Sequence, residues 1–75
     1  MAIEIRVLGA LGHRKFAPMT ADEARDIINK VENGRFEDAT RGQYYIINDN
    51  THRVIGKLDI KDGQKLILVP AIRGG

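Results

Sequence analysis

Arg73-Gly74-Gly75 follows the apolar run Leu66-Ile67-Leu68-Val69-Pro70 after only two residues, Ala71 and Ile72. Two successive glycines have no side chains and accept any backbone geometry at low steric cost. Such a segment can thread in extended form into a narrow catalytic channel. Its carboxylate can be approached closely by a nucleotide, a thiol or an amine. Arg73, Gly74 and Gly75 are therefore the candidate residues for cleavage or conjugation chemistry, with the chain as substrate. The plainer alternative is a frayed Gly-rich end.

Groups that would make the chain a catalyst are scarce. It has no Cys, no Ser and no Trp. That excludes disulfide and thiolate chemistry and removes the commonest nucleophiles. His13 and His52 lie far apart in sequence, and two histidines without cysteine make a poor metal site. Asp22, Glu23 and Asp26 sit where a helix would begin, and Asp49, Asp59 and Asp62 fall in turn segments. None of these carboxylates is paired for acid–base work. Gly9 and Gly12 suggest a phosphate loop only superficially, because no helix follows at the required spacing. Tyr44 and Tyr45 beside Arg41, with Arg14 and Lys15, could stack on and pair with a nucleic-acid single strand. Alternatively, one tyrosine faces a core and the other covers a sheet surface. A net charge of +2 with interspersed signs favours a solvated mixed surface over a nucleic-acid stripe. The expectation is a non-enzymatic domain that uses no cofactor or metal and does not bind nucleic acid.

Seventy-five residues make one small domain, near the lower limit for a core that folds unaided. Met1-Ala2-Ile3-Glu4-Ile5-Arg6 lacks the apolar region of a signal peptide, and no apolar run approaches membrane-spanning length. The expectation is a cytoplasmic, monomeric protein.

The elements that must carry the candidate residues follow from periodicity. Over residues 2–8, Ile3, Ile5 and Val7 alternate with Glu4 and Arg6, the pattern of a half-buried strand, and Leu8 falls on the outward face. Gly9-Ala10-Leu11-Gly12 supplies a turn, and residues 13–18 return as a second strand with Phe16 in the core. Pro18 limits that strand. Thr20-Ala21-Asp22-Glu23 is a capping box. Ala24, Ile27, Ile28 and Val31 then form one helical face, and Asn33-Gly34 ends the helix. Residues 35–43 read as a polar connection anchored by Phe36. Residues 43–48 form a third strand, Asp49-Asn50-Thr51 a turn, and residues 52–56 a returning strand. Leu58 and Ile60 plug the next connection, Asp62-Gly63 turns the chain, and residues 65–71 form the last strand.

The order strand, strand, helix, strand, strand, strand indicates an α+β domain with one helix on one sheet face. The first and last strands are the most apolar, which places them centrally and parallel, as in a β-grasp. The other sheet face is then open to partners. Its outward positions include Leu8, Ile67 and Val69, plus one member of each pair Tyr44/Tyr45 and Ile46/Ile47. Ile46 is assigned to the face with Leu8, Ile67 and Val69. An apolar row on an open face marks a recognition surface; the alternative is local packing of loop and tail residues.

At this point the chain resembles two groups. Its element order, the Asp62-Gly63 turn and the Ile72-Arg73-Gly74-Gly75 segment resemble ubiquitin-like proteins along the whole chain. A narrower resemblance is to the N-terminal domain of the lambda-type phage tail assembly protein I family. It is carried by Leu8-Gly9-Ala10-Leu11-Gly12, Phe16, Thr20-Ala21-Asp22-Glu23-Ala24, Phe36, Gly42-Gln43-Tyr44-Tyr45, and Asp62-Gly63 leading to Ile67-Leu68-Val69-Pro70. Members of that family usually continue into a further segment, and their ending is usually less like ubiquitin's than Arg73-Gly74-Gly75. The resemblance implies tail-assembly components as partners. One of these would be a peptidase similar to the deubiquitinating metalloproteases, cleaving after Gly75. A second reading is a protein modifier or sulfur carrier, in which an activating enzyme adenylates Gly75. Lys15, Lys30, Lys57, Lys61 and Lys65 would then be possible acceptors, and Arg73 favours the modifier over the carrier.

Overall fold

A computed structural model describes residues 2–9, 12–18, 20–36 and 41–71. Five strands and one helix follow in the order β1 Glu4–Gly9, β2 Gly12–Phe16, α1 Ala21–Glu32, β3 Tyr44–Asn48, β4 Arg53–Ile55 and β5 Lys65–Pro70. A 3-10 turn, Lys57–Asp59, lies between β4 and β5.

The strands form one mixed sheet in the order β2-β1-β5-β3-β4. β1 and β5 are parallel, whereas β1/β2, β3/β5 and β3/β4 are antiparallel. Both parallel strands are interior, as their apolar sequences require, because an interior strand has no edge to solvate. The helix packs on one sheet face, and the topology is compatible with a β-grasp.

The helix begins where its sequence dictates. Thr20 is extended, and its Oγ1 accepts from the Glu23 backbone N–H at 3.1 Å. Asp22 and Glu23 occupy the first turn, where the helix dipole favours them. At the other end Gly34 adopts φ of 72°, its N–H donates to Val31 O, and the Arg35 N–H donates to Lys30 O. This is a Schellman ending, which needs a left-handed residue at the Gly34 position.

The core unites every layer. Ile3, Ile5 and Val7 from the first strand segment, Ala24, Ile28 and Val31 from α1, Tyr44 and Ile46 from β3, and Ile60, Leu66 and Leu68 are all buried. Phe16, Ile27, Phe36 and Ile55 pack around them, partly buried. Phe16 and Phe36 meet with ring centroids 5.2 Å apart, and the Arg14 guanidinium lies over both rings. Phe36 therefore anchors the connection after the helix, as its position suggested.

Ile27 lies on the helix face as expected, partly buried and packed against the core beside the fully buried Ala24, Ile28 and Val31. One expectation is corrected here. Leu58 does not plug the connection: it is 87% exposed, while Ile60 is 3% exposed. A spacing of two suits a strand, but in a 3-10 turn residues three apart share a side. With Ile60 turned inward, Leu58 is left on the outside.

Candidate protein-interaction face

Strand alternation assigns each side chain to a sheet face, and cross-strand register then sets its neighbours. On the helix-covered side, β3 presents Tyr44, Ile46 and Asn48, and β5 presents Leu66 and Leu68. The opposite side carries Glu4, Arg6 and Leu8 from β1, Lys15 from β2, Tyr45 and Ile47 from β3, Val54 from β4, and Lys65, Ile67 and Val69 from β5. Tyr45 pairs with Val69, Ile47 with Ile67, and Ile47 again with Val54.

The structure therefore brings Leu8, Ile67 and Val69 onto one face, each half-buried. It removes Ile46 from that face. Ile46 is 4% exposed and pairs with Leu68 in the core. Tyr45 and Ile47 hold the outward positions on β3 instead. Val54, 65% exposed on the edge strand, extends the row and had no part in the sequence reading of the face. Its signal was present in the returning strand, since Val54 is the apolar residue opposite the outward Ile47.

A polar clasp holds the β3/β4 end of this face in place. The Lys57 ammonium donates to Asn29 Oδ1 at 2.8 Å and to Glu32 Oε1 at 2.6 Å. Glu32 Oε2 accepts from the Tyr44 backbone N–H at 3.2 Å. Arg25 Nε donates to the Lys57 carbonyl at 3.1 Å. One carboxylate near the helix end thus fixes both the start of β3 and the connection leaving β4. The β-turn between these strands is fixed separately. The buried Asn48 side chain accepts from the Asn50 and Thr51 backbone N–H groups, and His52 adopts φ of 59°. His52 is exposed in that turn.

The two tyrosines divide as one sequence alternative held: Tyr44 is core and Tyr45 surface. Among the described residues, no group of three or more His, Cys, Asp or Glu could hold a metal ion. No helix among them is long and apolar enough to cross a membrane. The candidate tail residues Arg73, Gly74 and Gly75 lie outside the described residues.

No protein-family model, curated protein or solved structure matches this chain.

Proposed function

We propose that the chain is a non-enzymatic, ubiquitin-like β-grasp domain that works by docking other proteins on its open sheet face. The observation that carries this reading is the apolar row of Leu8, Tyr45, Ile47, Val54, Ile67 and Val69 on the face opposite α1. A contiguous apolar patch that no described element covers is costly to leave in water, and such patches mark interaction sites. The sequence resemblance points to a phage or prophage tail-assembly system as the setting. Arg73, Gly74 and Gly75 would then be the segment recognised by a peptidase of the deubiquitinase-like metalloprotease type. The alternative role for the same residues is activation of Gly75 by an adenylating enzyme.

Affinity capture from the native host with the wild-type protein and with Val69→Asp tests the docking role. Tail components or a peptidase should be recovered with the wild type and lost with the variant, while the variant keeps a cooperative melt. Equal recovery by a folded Val69→Asp would remove the face from the proposal. Intact mass after incubation with the recovered peptidase or activating enzyme tests the tail. With ATP supplied, the activating enzyme should join AMP to the Gly75 carboxylate and release pyrophosphate. The peptidase should cut a fusion that extends the chain beyond Gly75, between Gly75 and the added segment. Gly75→Ala should block either reaction.

A further inference from the structure

We infer that the open face is built for an acidic protein segment, one that sets carboxylates over Arg6 and Lys15 and an apolar row over Ile67, Ile47 and Val54. This inference rests on the docking role proposed above and names the chemistry of the partner. The cross-strand register carries it. Lys15 pairs with Arg6, Arg6 with Ile67, Ile67 with Ile47, and Ile47 with Val54. These five residues form one continuous row across all five strands. Its β2–β1 end is cationic and its β5–β3–β4 end is aliphatic.

The cationic end costs the free protein stability. Arg6 and Lys15 are directly opposed on an antiparallel pair, and like charges in that position are destabilising. Lys65 adds a third cation to the face, in register with Glu4. Glu4 is the one carboxylate at these strand positions, and it reaches Arg6 only at 4.0 Å between exposed groups. A weak exposed pair of this kind contributes little. Carboxylates from a partner would relieve the opposition, and the adjoining aliphatic residues would supply burial.

The same row disfavours the other occupants. A second copy would bring only one carboxylate, Glu4, to the three cations Arg6, Lys15 and Lys65 of each face, so most of the positive charge would stay without an opposite partner. A nucleic-acid strand would satisfy the cations, but its bases need rings to stack on. Ile67, Ile47 and Val54 offer none, and Tyr45 is the single aromatic among the described face positions.

Amide chemical-shift titrations with two synthetic amphipathic peptides test the inference. The peptides share one leucine face, and one carries glutamates where the other carries glutamines. The glutamate peptide should shift amides around Arg6, Lys15, Ile47 and Ile67 and bind about tenfold more tightly, a difference near 1.4 kcal/mol. Lys15→Glu should lose about that factor in affinity and at the same time raise the melting temperature, because it faces Arg6 with an opposite charge. Lys15→Arg should keep wild-type affinity. If Lys15→Glu fails to fold, Lys15→Gln serves for both readouts. Equal affinity for the two peptides would overturn the charge assignment and leave the docking face standing. No shift with either peptide would overturn both. A lower melting temperature for the folded Glu variant would overturn the like-charge argument. Tighter binding of an oligothymidylate than of the glutamate peptide would overturn the protein partner in favour of nucleic acid.

Discussion

Ile28 and Ile27 are neighbours in sequence, yet they have different surroundings. Ile28 is fully buried against the sheet, while Ile27 sits at the margin of the helix face. Ile28→Asp should therefore abolish the cooperative melt, since an unpaired buried carboxylate costs several kcal/mol and a small domain has little more to lose. Ile27→Asp should leave a cooperative but lowered transition. Lys30→Ala should change stability by less than about 0.5 kcal/mol, because its partner Asp26 is also exposed. Urea melts of the three variants check the ordering. The helical spacing showed that these isoleucines belong to one face. Which of two adjacent residues lies at its centre depends on how the helix sits on the sheet, and periodicity does not contain that. The same limit explains Ile46. Tyr44-Tyr45-Ile46-Ile47 is uniformly apolar, so its phase could not be read from alternation. Pairing of Ile46 with Leu68 sets it.

At the level of elements, strands with clean alternation were legible and short irregular ones were not. Ile3, Ile5 and Val7 alternate with charged residues and are buried as the pattern required. The helix start was equally legible because a capping box is a local chemical signal. Thr20→Ala should cost about 1 kcal/mol, read as a lower urea midpoint with an unchanged slope. The region after β4 was misread at Leu58 because two apolar residues in a connection do not show which of them faces inward, and the 3-10 turn Lys57–Asp59 leaves Leu58 outside while Ile60 is buried. Nor did the sequence reveal the clasp there, since Asn29, Glu32 and Lys57 meet only through tertiary packing. Glu32 is the pivot, with its side chain 18% exposed and both oxygens engaged. Glu32→Ala should cost about 1–2 kcal/mol, as hydrogen bonds to charged groups are stronger than neutral ones. Lys57→Ala should cost less, because it leaves Glu32 its bond to the Tyr44 backbone. Amide exchange should speed up first at Tyr44 and in the residues after β4. Uniform acceleration across the sheet would mean that the clasp is not local.

For the whole molecule, one sheet has two sides in different surroundings. The helix-covered side contains the one core found among the described residues, which draws on the helix and the sheet, so the domain should unfold as one unit. Tyrosine fluorescence, which includes the buried Tyr44, and far-UV circular dichroism should give coincident transitions. The open side contributes little to that unit. Tyr45 and Val54 are each more than half exposed, so folding removes only part of their area from water. Replacing both with threonine keeps the strand preference, because threonine is β-branched, and removes most of the apolar surface at one end of the row. The double variant should lose no more than about 1 kcal/mol of stability, the sum of two ordinary surface changes. It should nevertheless lose capture of the native partner, because the aliphatic end of the face would no longer repel water. A large drop in stability would show that the face is part of the folding core, and the separation between the two sides of the sheet would not hold. Retained capture with retained stability would instead place the recognition surface elsewhere on the molecule.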